Sequence, residues 1–295
     1  MSDAMTARAW LNTGLLALLV GLALIVWLRP GQKPEAETSI APLDPDVVTR
    51  IQIQRAGKPT IALERQDRQW SLTAPIALPA NEVRVGTLLN LAEKTSESRY
   101  DAAELELAKY GLAEPKVSVM LNDRAFVFGD INPVTYQRYV RVGDRVYLIS
   151  DDLIDLDTAE AAAYASPKLL PAGSEIRALN LPYVRLERED DGRWRRSSDA
   201  LSPAEIHTLL DAWRKAHAYR VASLKKNSTR RSRERIVVTL TDGREVEFAI
   251  IARKPELILA RPQLGIQYHL PADAVSSVLR PESRAAKAST DQRPG

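Results

Sequence analysis

The residues best suited to metal or acid–base chemistry are three histidines, in a chain of 295 residues that contains no cysteine. His207 and His217 lie on a predicted helix, where their spacing of ten residues places them about 280° apart around the axis. His269 lies in a predicted strand, and neither H-x-x-x-H nor H-E-x-x-H occurs. The composition also excludes thiolate nucleophiles and cysteine-based metal sites. We therefore expect no metal ion and no cofactor.

Acidic residues cluster between positions 151 and 160 and could bind a hard cation. They are Asp151, Asp152, Asp155, Asp157 and Glu160. Asp155-x-Asp157 has the spacing of a fragment of a calcium loop, but no glycine bends the chain here and no bidentate glutamate stands at the twelfth position. The favoured interpretation is that these acids charge the solvent face and first turn of an alanine-rich helix. Calcium binding is the alternative.

Motifs for covalent catalysis and for phosphate binding do not occur in the sequence. There is no G-x-S-x-G, no G-x-x-x-x-G-K-[ST] and no G-x-G-x-x-G. The periodic placement of the large aromatic side chains favours a protein core over a ligand groove; they are Trp70, Tyr139, Tyr147, Trp194 and Trp213. We therefore expect no catalytic residues and a protein that is not an enzyme.

A basic stretch near position 230 is the candidate interaction patch. Its residues are Lys225, Lys226, Arg230, Arg231, Arg233 and Arg235. No aromatic side chain stands between positions 224 and 235 to stack on a base, so we expect no nucleic-acid partner. The stretch is interpreted as a solvated loop, with binding to anionic lipid headgroups or to an acidic protein as the functional alternative.

An uncharged apolar segment runs from Leu11 to Leu28. Its eighteen residues would span about 27 Å as a helix, close to the ~30 Å hydrocarbon core of a bilayer. Trp10 and Trp27 stand at its ends, where aromatic rings favour the headgroup region. A cleaved signal peptide is the alternative, but its apolar region would be shorter and would end at small residues. The sequence predicts an uncleaved single-span anchor, and the flanking charges leave its orientation open.

The remaining chain is long enough for two domains. It is part of a sequence that is 45% hydrophobic and 27% charged with a formal net charge of +3, which is typical of a globular protein. Four prolines between residues 30 and 45 predict an extended spacer. The predicted organisation is a tail and anchor at 1–30, a proline-rich spacer at 31–45, a first repeat at 46–155, a connecting helix or linker at 156–173, a second repeat at 174–280 and a disordered tail at 281–295.

Matching segments recur in the two halves at an offset of about 120 residues. Ile61-Ala-Leu-Glu-Arg is followed by Trp70, and Val184-Arg-Leu-Glu-Arg is followed by Trp194. Each match predicts a strand hairpin, with its turn at Asp67-Arg68 in the first half and at Asp191-Gly192 in the second. An apolar stripe at helical spacing comes next in each half; the stripes are Val85, Leu88, Leu89 and Ala92, then Ile206, Leu209, Leu210 and Trp213.

These patterns predict an α+β fold, in which an N-terminal transmembrane helix precedes two tandem repeats of an antiparallel-sheet-plus-helix unit. The second stripe has a clear helix start, with Ser202 as N-cap, Pro203 at the first position and Glu205 completing a capping box. Further helical stretches are predicted between Ala102 and Tyr110, ended by Gly111, and within residues 150–173.

Conspicuous residues of the first half follow one another in an order that resembles the bacterial domain-of-unknown-function family 4340. They include Trp70, Tyr110-Gly111-Leu112, Phe128-Gly129 and Tyr139-Val140. The resemblance covers roughly residues 45–155 and extends weakly through the second half. It implies a single-span envelope protein of the bacterial inner membrane with a periplasmic C-terminal body, of a kind often encoded beside ABC-transport components of the gliding-motility type. It implies no catalytic residues, because that family has no settled activity.

Two functions follow as expectations. The first is a non-enzymatic, membrane-anchored extracytoplasmic scaffold or accessory protein, with subunits of an ABC-type transport assembly as its protein partners. The alternative is an extracytoplasmic module that binds a lipid or a glycan in the cleft between the two repeats. The oligomeric state stays open.

Overall fold

A computed structural model describes residues 10, 14–21, 24, 38–151, 155–198, 201–225 and 234–279. Antiparallel strands dominate these residues. A small sheet pairs β1 (Thr38–Ser39) with β6 (Thr95–Ser96). The first large sheet has nine strands; these are β2 (Arg50–Arg55), β3 (Ile61–Gln66), β4 (Gln69–Ala74), β5 (Leu78–Pro79), β7 (Arg99–Asp101), β8 (Val117–Leu121), β9 (Arg124–Ile131), β10 (Gln137–Val142) and β11 (Arg145–Ser150).

The second large sheet has eight strands. They are β12 (Ile176–Leu181), β13 (Val184–Arg188), β14 (Trp194–Arg196), β15 (Arg220–Ser223), β16 (Arg235–Leu240), β17 (Glu245–Ala252), β18 (Leu257–Arg261) and β19 (Ile266–Leu270). Helix α1 (Glu82–Leu89) belongs to the first half and helix α2 (Pro203–Lys215) to the second.

The two large sheets have the same strand order. The first runs β5-β4-β3-β2-β8-β9-β10-β11-β7 and the second β14-β13-β12-β16-β17-β18-β19-β15. The orders coincide strand for strand from β4 and β14 to β7 and β15, and β5 adds one strand to the edge of the first sheet. The helices also occur at equivalent points of the chain. This repeated order is what the matching sequence segments predicted.

Alternating burial explains why these segments form strands. In β2 the isoleucines Ile51 and Ile53 are fully buried, while Gln52 and Gln54 between and after them are not. Such alternation is the period-two pattern of a sheet with one face on the core.

The first predicted hairpin is confirmed. Asp67 and Arg68 connect β3 and β4 with φ angles of 47° and 66°. Positive φ at both central residues is the geometry of a type I′ turn, which matches the twist of the flanking strands. The turn sets Arg65 opposite Trp70, with its guanidinium 5.6 Å from the indole centroid.

The predicted start and buried face of α2 are also confirmed. Ser202 accepts a hydrogen bond from the Glu205 N–H, and the Glu205 carboxylate accepts one from the Ser202 N–H. The predicted stripe is buried: Ile206, Leu209, Leu210 and Trp213. The capping residues and the apolar stripe therefore predicted the start and the buried face of this helix correctly.

Helical structure in the first half is shorter than predicted. α1 begins at the predicted stripe, capped by Asn81, but Ala92 lies in a 3-10 helix, Asn90–Glu93. The predicted helix from Ala102 to Tyr110 is wrong, since the chain forms two 3-10 turns, Ala102–Glu104 and Leu107–Tyr110, separated by extended backbone. Asp101 closes the first turn by accepting from the Ala103 N–H. The α+β prediction is thereby corrected to a mostly β fold with few helices.

Residues 156–173, predicted as a connecting helix or linker, contain no α-helix. This connecting segment has one 3-10 turn, Ala161–Tyr164, and is otherwise turns and extended chain. Its backbone pairs with the first half, where the N–H of Asn81 donates to Tyr164 and the N–H of Ser166 donates to Pro79, at 2.8 and 2.7 Å. In an α-helix these backbone N–H and C=O groups would be hydrogen-bonded within the helix and could not pair with the first half.

The same segment pairs with the second half. The Leu169 N–H donates to Ala216 and the Ala218 N–H donates to Pro167, at 3.1 and 2.8 Å. The connecting segment is thus hydrogen-bonded to both halves and fixes one against the other.

An ion pair reinforces this junction, and we expect it to make stability depend on acid pH. Arg84 donates to both carboxylate oxygens of Asp155 at 3.0 and 2.6 Å. The hydrogen bond from Arg84 lowers the pKa of Asp155, with burial opposing it. A carboxyl group whose pKa is lower in the folded state stabilises the fold above its unfolded pKa and loses that contribution as pH falls through the folded value.

Asp155→Asn should therefore cost about 0.5–1 kcal/mol at neutral pH, since the pair is partly exposed, and this cost should shrink as the pH falls from neutral through the folded pKa of Asp155. Urea unfolding across that pH range measures the effect. Asp157→Asn is the matched control, because Asp157 forms no ion pair within the described residues. A deficit of Asp155→Asn that is the same at every pH would contradict the prediction.

The predicted anchor falls mostly outside the described residues. Residues 14–21 are helical, and Trp10 is 80% exposed. Trp27, the spacer up to residue 37 and the tail from 281 lie outside the described part of the chain. Among the residues that the structure does describe, no helix has the length and apolar character needed to cross a membrane.

Candidate ligand-binding cleft

A cleft lies where the connecting segment joins the two halves. It is a cavity of about 310 Å³. One wall comes from β4, β5 and the start of α1, another from residues 166–172, and the third from the second sheet. The two sheets and the connecting segment therefore build it jointly, at the position where the sequence predicted a binding cleft between the repeats.

Apolar and aromatic side chains form part of the lining. Trp70, Leu78, Leu169 and Leu170 contribute to it, and Trp70 is only half-buried. The indole of Trp70 packs against the core, and the guanidinium group of Arg65 lies over its ring. Of the aromatic residues predicted to be core, Trp213 and Tyr147 are buried, whereas Trp70 also contributes to this cavity.

Charged side chains complete the lining. Lys168, Arg244 and Arg261 contribute cations and Glu82 contributes one carboxylate. Arg261 lies against the hydroxyl of Tyr268, a buried residue of β19. Burial raises the pKa of Tyr268, and the positive charge of Arg261 opposes that rise. The phenol is thus a neutral hydrogen-bonding group at physiological pH.

A polar network in the second sheet, buried at His269 and Gln267 and reaching the surface at Tyr219, was missed by sequence reasoning. His269, which is 3% exposed, places Nδ1 2.9 Å from a Glu256 carboxylate oxygen and Nε2 2.9 Å from the Gln267 amide nitrogen. Tyr219 donates to the other Glu256 oxygen, and this bond, with His269 second, lowers the pKa of Glu256. The four groups satisfy one another and join the ends of β15, β18 and β19.

The only signal for this network in the sequence is that Gln267 and His269 are two residues apart and so share a face of one strand. Tyr219 immediately precedes β15 and Glu256 immediately precedes β18, so their proximity to His269 depends on the sheet order. His207 lies on α2, as predicted. His217 lies just after the end of α2, where its backbone forms an antiparallel β-bridge with that of Lys168.

The acidic residues at 151–160 do not converge. Asp151 accepts from Arg138 at 2.8 Å, and Asp155 binds Arg84. Asp152 lies outside the described residues, and within them no group of three or more potential ligands could hold a metal ion. The favoured interpretation, that these acids begin an alanine-rich helix, is wrong because that helix does not form. Guanidinium groups satisfy two of the carboxylates.

Most of the basic patch lies outside the described residues. Lys226, Arg230, Arg231 and Arg233 belong to that part. Lys225 is exposed after β15, and Arg235 begins β16, where its guanidinium is 3.5 Å from the Glu247 carboxylate. The interaction role of this patch stays a prediction.

Three of the segments that suggested a family, 110–112, 128–129 and 139–140, meet at one packed junction of the first sheet. Gly111 has φ 69°, and a Cβ there would lie 2.7 Å from the Asp130 carboxylate. A Cβ on Gly129 would collide with the carbonyl oxygen of Tyr110. Tyr110 and Tyr139 pack with ring centroids 4.7 Å apart. The motif is therefore structural.

The fold is that of a β-rich protein, with two large antiparallel sheets that share one strand order. The family model described as Domain of unknown function (DUF4340) matches residues 70–234, and the chain belongs to that family. No curated protein and no solved structure matches this chain.

Proposed function

We propose that this protein is a non-enzymatic, membrane-anchored accessory protein of the bacterial envelope, whose two-sheet body lies outside the cytoplasm and binds subunits of an ABC-type transport assembly. The observation that carries the anchor is the exposure of the apolar N-terminal helix. Leu15, Leu16, Leu18 and Leu19 are each at least 60% exposed, although they are consecutive apolar positions of a helix.

Exposed leucines all around a helix are costly in water and favourable in lipid. The two-sheet body contributes nothing that covers them among the described residues. Membrane insertion would bury them, and the flanking Trp10 fits the headgroup region. The family resemblance supports both the periplasmic side and the transport assembly as the partner.

Charging this helix should release the protein from the membrane. Lysine at the centre of a transmembrane helix costs about 2.5–3.5 kcal/mol per residue, so Leu16→Lys combined with Leu19→Lys should shift most of the full-length chain out of the membrane fraction. Leu16→Ile combined with Leu19→Ile is the apolar control and should stay membrane-bound. Carbonate-washed membranes and immunoblotting measure the distribution. Equal partitioning of the two variants would contradict the anchor.

The side of the membrane and the partner are tested separately. Alkaline phosphatase fused to the C-terminus should be active, and a reporter that works only in the cytoplasm should be inactive. Mild-detergent purification of the full chain should retain integral subunits of an ABC transporter. Cytoplasmic reporter activity, or a chain that always purifies alone, would overturn this assignment.

A second candidate function is binding of a lipid or a glycan in the cleft between the sheets. The specific observation in its favour is the cavity of about 310 Å³ lined by Trp70, by leucine side chains and by cations of the connecting segment and the second half. This size lies at the lower end of small-molecule sites.

A further inference from the structure

The cleft between the two sheets carries an excess of positive charge. Lys168, Arg244 and Arg261 line it, against the single carboxylate of Glu82. Arg244 shares its charge with Asp242, whose carboxylate is 2.6 Å away. Lys168 and Arg261 form no ion pair within the described part of the chain. The cleft therefore favours a ligand with negative charge.

Arg261 also holds an unused hydrogen-bond donor at this site. Its Nε is buried and has no acceptor among the described residues. The planar guanidinium suits the paired oxygens of a phosphate group.

The apolar part of the lining lies beside these cations. Trp70, Leu78, Leu169 and Leu170 contribute to it. A flat indole and leucine side chains can hold an alkyl chain or the apolar face of a sugar ring. The cleft thus combines a cationic region with an apolar one.

We infer that the cleft binds a phosphate monoester with an alkyl or sugar substituent, whose phosphate oxygens accept from Arg261 and Lys168 while the substituent contacts Trp70. This inference rests on the second candidate function and names its ligand chemistry. A lipid headgroup and a phosphorylated sugar share that chemistry, and the cavity of about 310 Å³ holds only the headgroup end of a lipid.

Calorimetric titration of the full-length chain tests the inference. The protein is placed in phosphatidylcholine nanodiscs, which carry no net charge, and empty nanodiscs supply the blank. The probes are hexyl phosphate, glucose 6-phosphate and the neutral hexyl glucoside. We expect at least one phosphate probe to bind about tenfold or more tightly than the glucoside. Tighter binding of hexyl phosphate identifies a lipid headgroup as the source, and tighter binding of glucose 6-phosphate identifies a sugar phosphate.

Variants assign the effect to the cleft. Arg261→Gln and Lys168→Gln should each weaken the phosphate probe about tenfold. Arg244 and Arg193 form a matched pair, because each stands in an Asp-Gly-Arg turn and binds the aspartate of that turn through Nε, at 2.7 and 2.6 Å. Arg244 lines the cleft and Arg193 does not. Arg244→Gln should weaken binding, and Arg193→Gln should leave it unchanged.

Three results would count against the inference. Binding of hexyl glucoside as tight as that of both phosphate probes overturns the phosphate assignment and leaves a neutral ligand in the cleft. Losses of affinity in Arg261→Gln and Lys168→Gln that are no larger than the loss in Arg193→Gln place the phosphate elsewhere. Absence of binding by all three probes overturns this inference and the second candidate function together. Circular dichroism melting confirms that each variant is folded. If Arg261→Gln does not fold, the affinity of Lys168→Gln for the phosphate probe is the test of the inference.

Discussion

Trp213→Ala should lower the free energy of unfolding by about 3–5 kcal/mol, the range for removing a buried tryptophan or phenylalanine from a core. Trp213 is fully buried on the inner face of α2. Its ring lies 5.8 Å from that of Phe248, which in turn lies 6.0 Å from Tyr268. The substitution therefore opens a cavity between the helix and the second sheet.

The indole also makes a directional contact that alanine loses. Trp213 Nε1 donates to the carbonyl of Val278 at 2.8 Å, in a buried position. Removal of the donor leaves this carbonyl unsatisfied, at a cost of about 1–3 kcal/mol. Trp213→Phe isolates this term, because it keeps a large aromatic ring and removes the N–H.

Urea unfolding of the full chain, followed by circular dichroism, measures these losses. Trp194→Ala is the control, since Trp194 is only half-buried at the edge strand β14. We expect Trp213→Ala to exceed Trp194→Ala clearly, with Trp213→Phe between wild type and Trp213→Ala. Equal losses of unfolding free energy for the two alanine variants would mean that Trp213 does not pack α2 against the core face of the second sheet.

Gly129→Ala should be the second most damaging substitution, at about 3 kcal/mol, the upper end of the usual overpacking cost. The added Cβ collides with the backbone carbonyl of Tyr110 and lies 3.0 Å from the Leu112 side chain. A flexible side chain could move aside, but a backbone carbonyl next to the 3-10 turn ended by Gly111 cannot move without displacing that turn.

Gly86→Ala is its control and should have the opposite sign. A Cβ at Gly86 meets nothing within 4 Å, and the residue lies inside α1. Alanine is favoured over glycine within a helix by about 0.5–1 kcal/mol, so this variant should be stabilised. Chemical unfolding of the two glycine variants side by side compares them, and a Gly129→Ala protein as stable as wild type would refute the close approach.

Local signals predicted the parts of the fold whose interactions are local. The capping box at Ser202 and Glu205 places its hydrogen bonds within one helical turn, so it located α2 correctly. The turn at Asp67 and Arg68 joins neighbouring strands in the same way. Non-local competition explains the errors, because the connecting segment pairs its backbone with Pro79 and Ala216 instead of forming the predicted helix.

The amino-acid sequence by itself determined the strands, the hairpins, α2 and the repeated order of segments, because hydrophobic period and capping act over a few residues. Tertiary structure alone decided the candidate site. Trp70, Leu169 and Arg261 are far apart along the chain and meet only because the connecting segment is hydrogen-bonded to both halves. Long-range pairing of backbone groups brings these side chains together, and no pattern of residue spacing encodes which distant side chains will share a cavity.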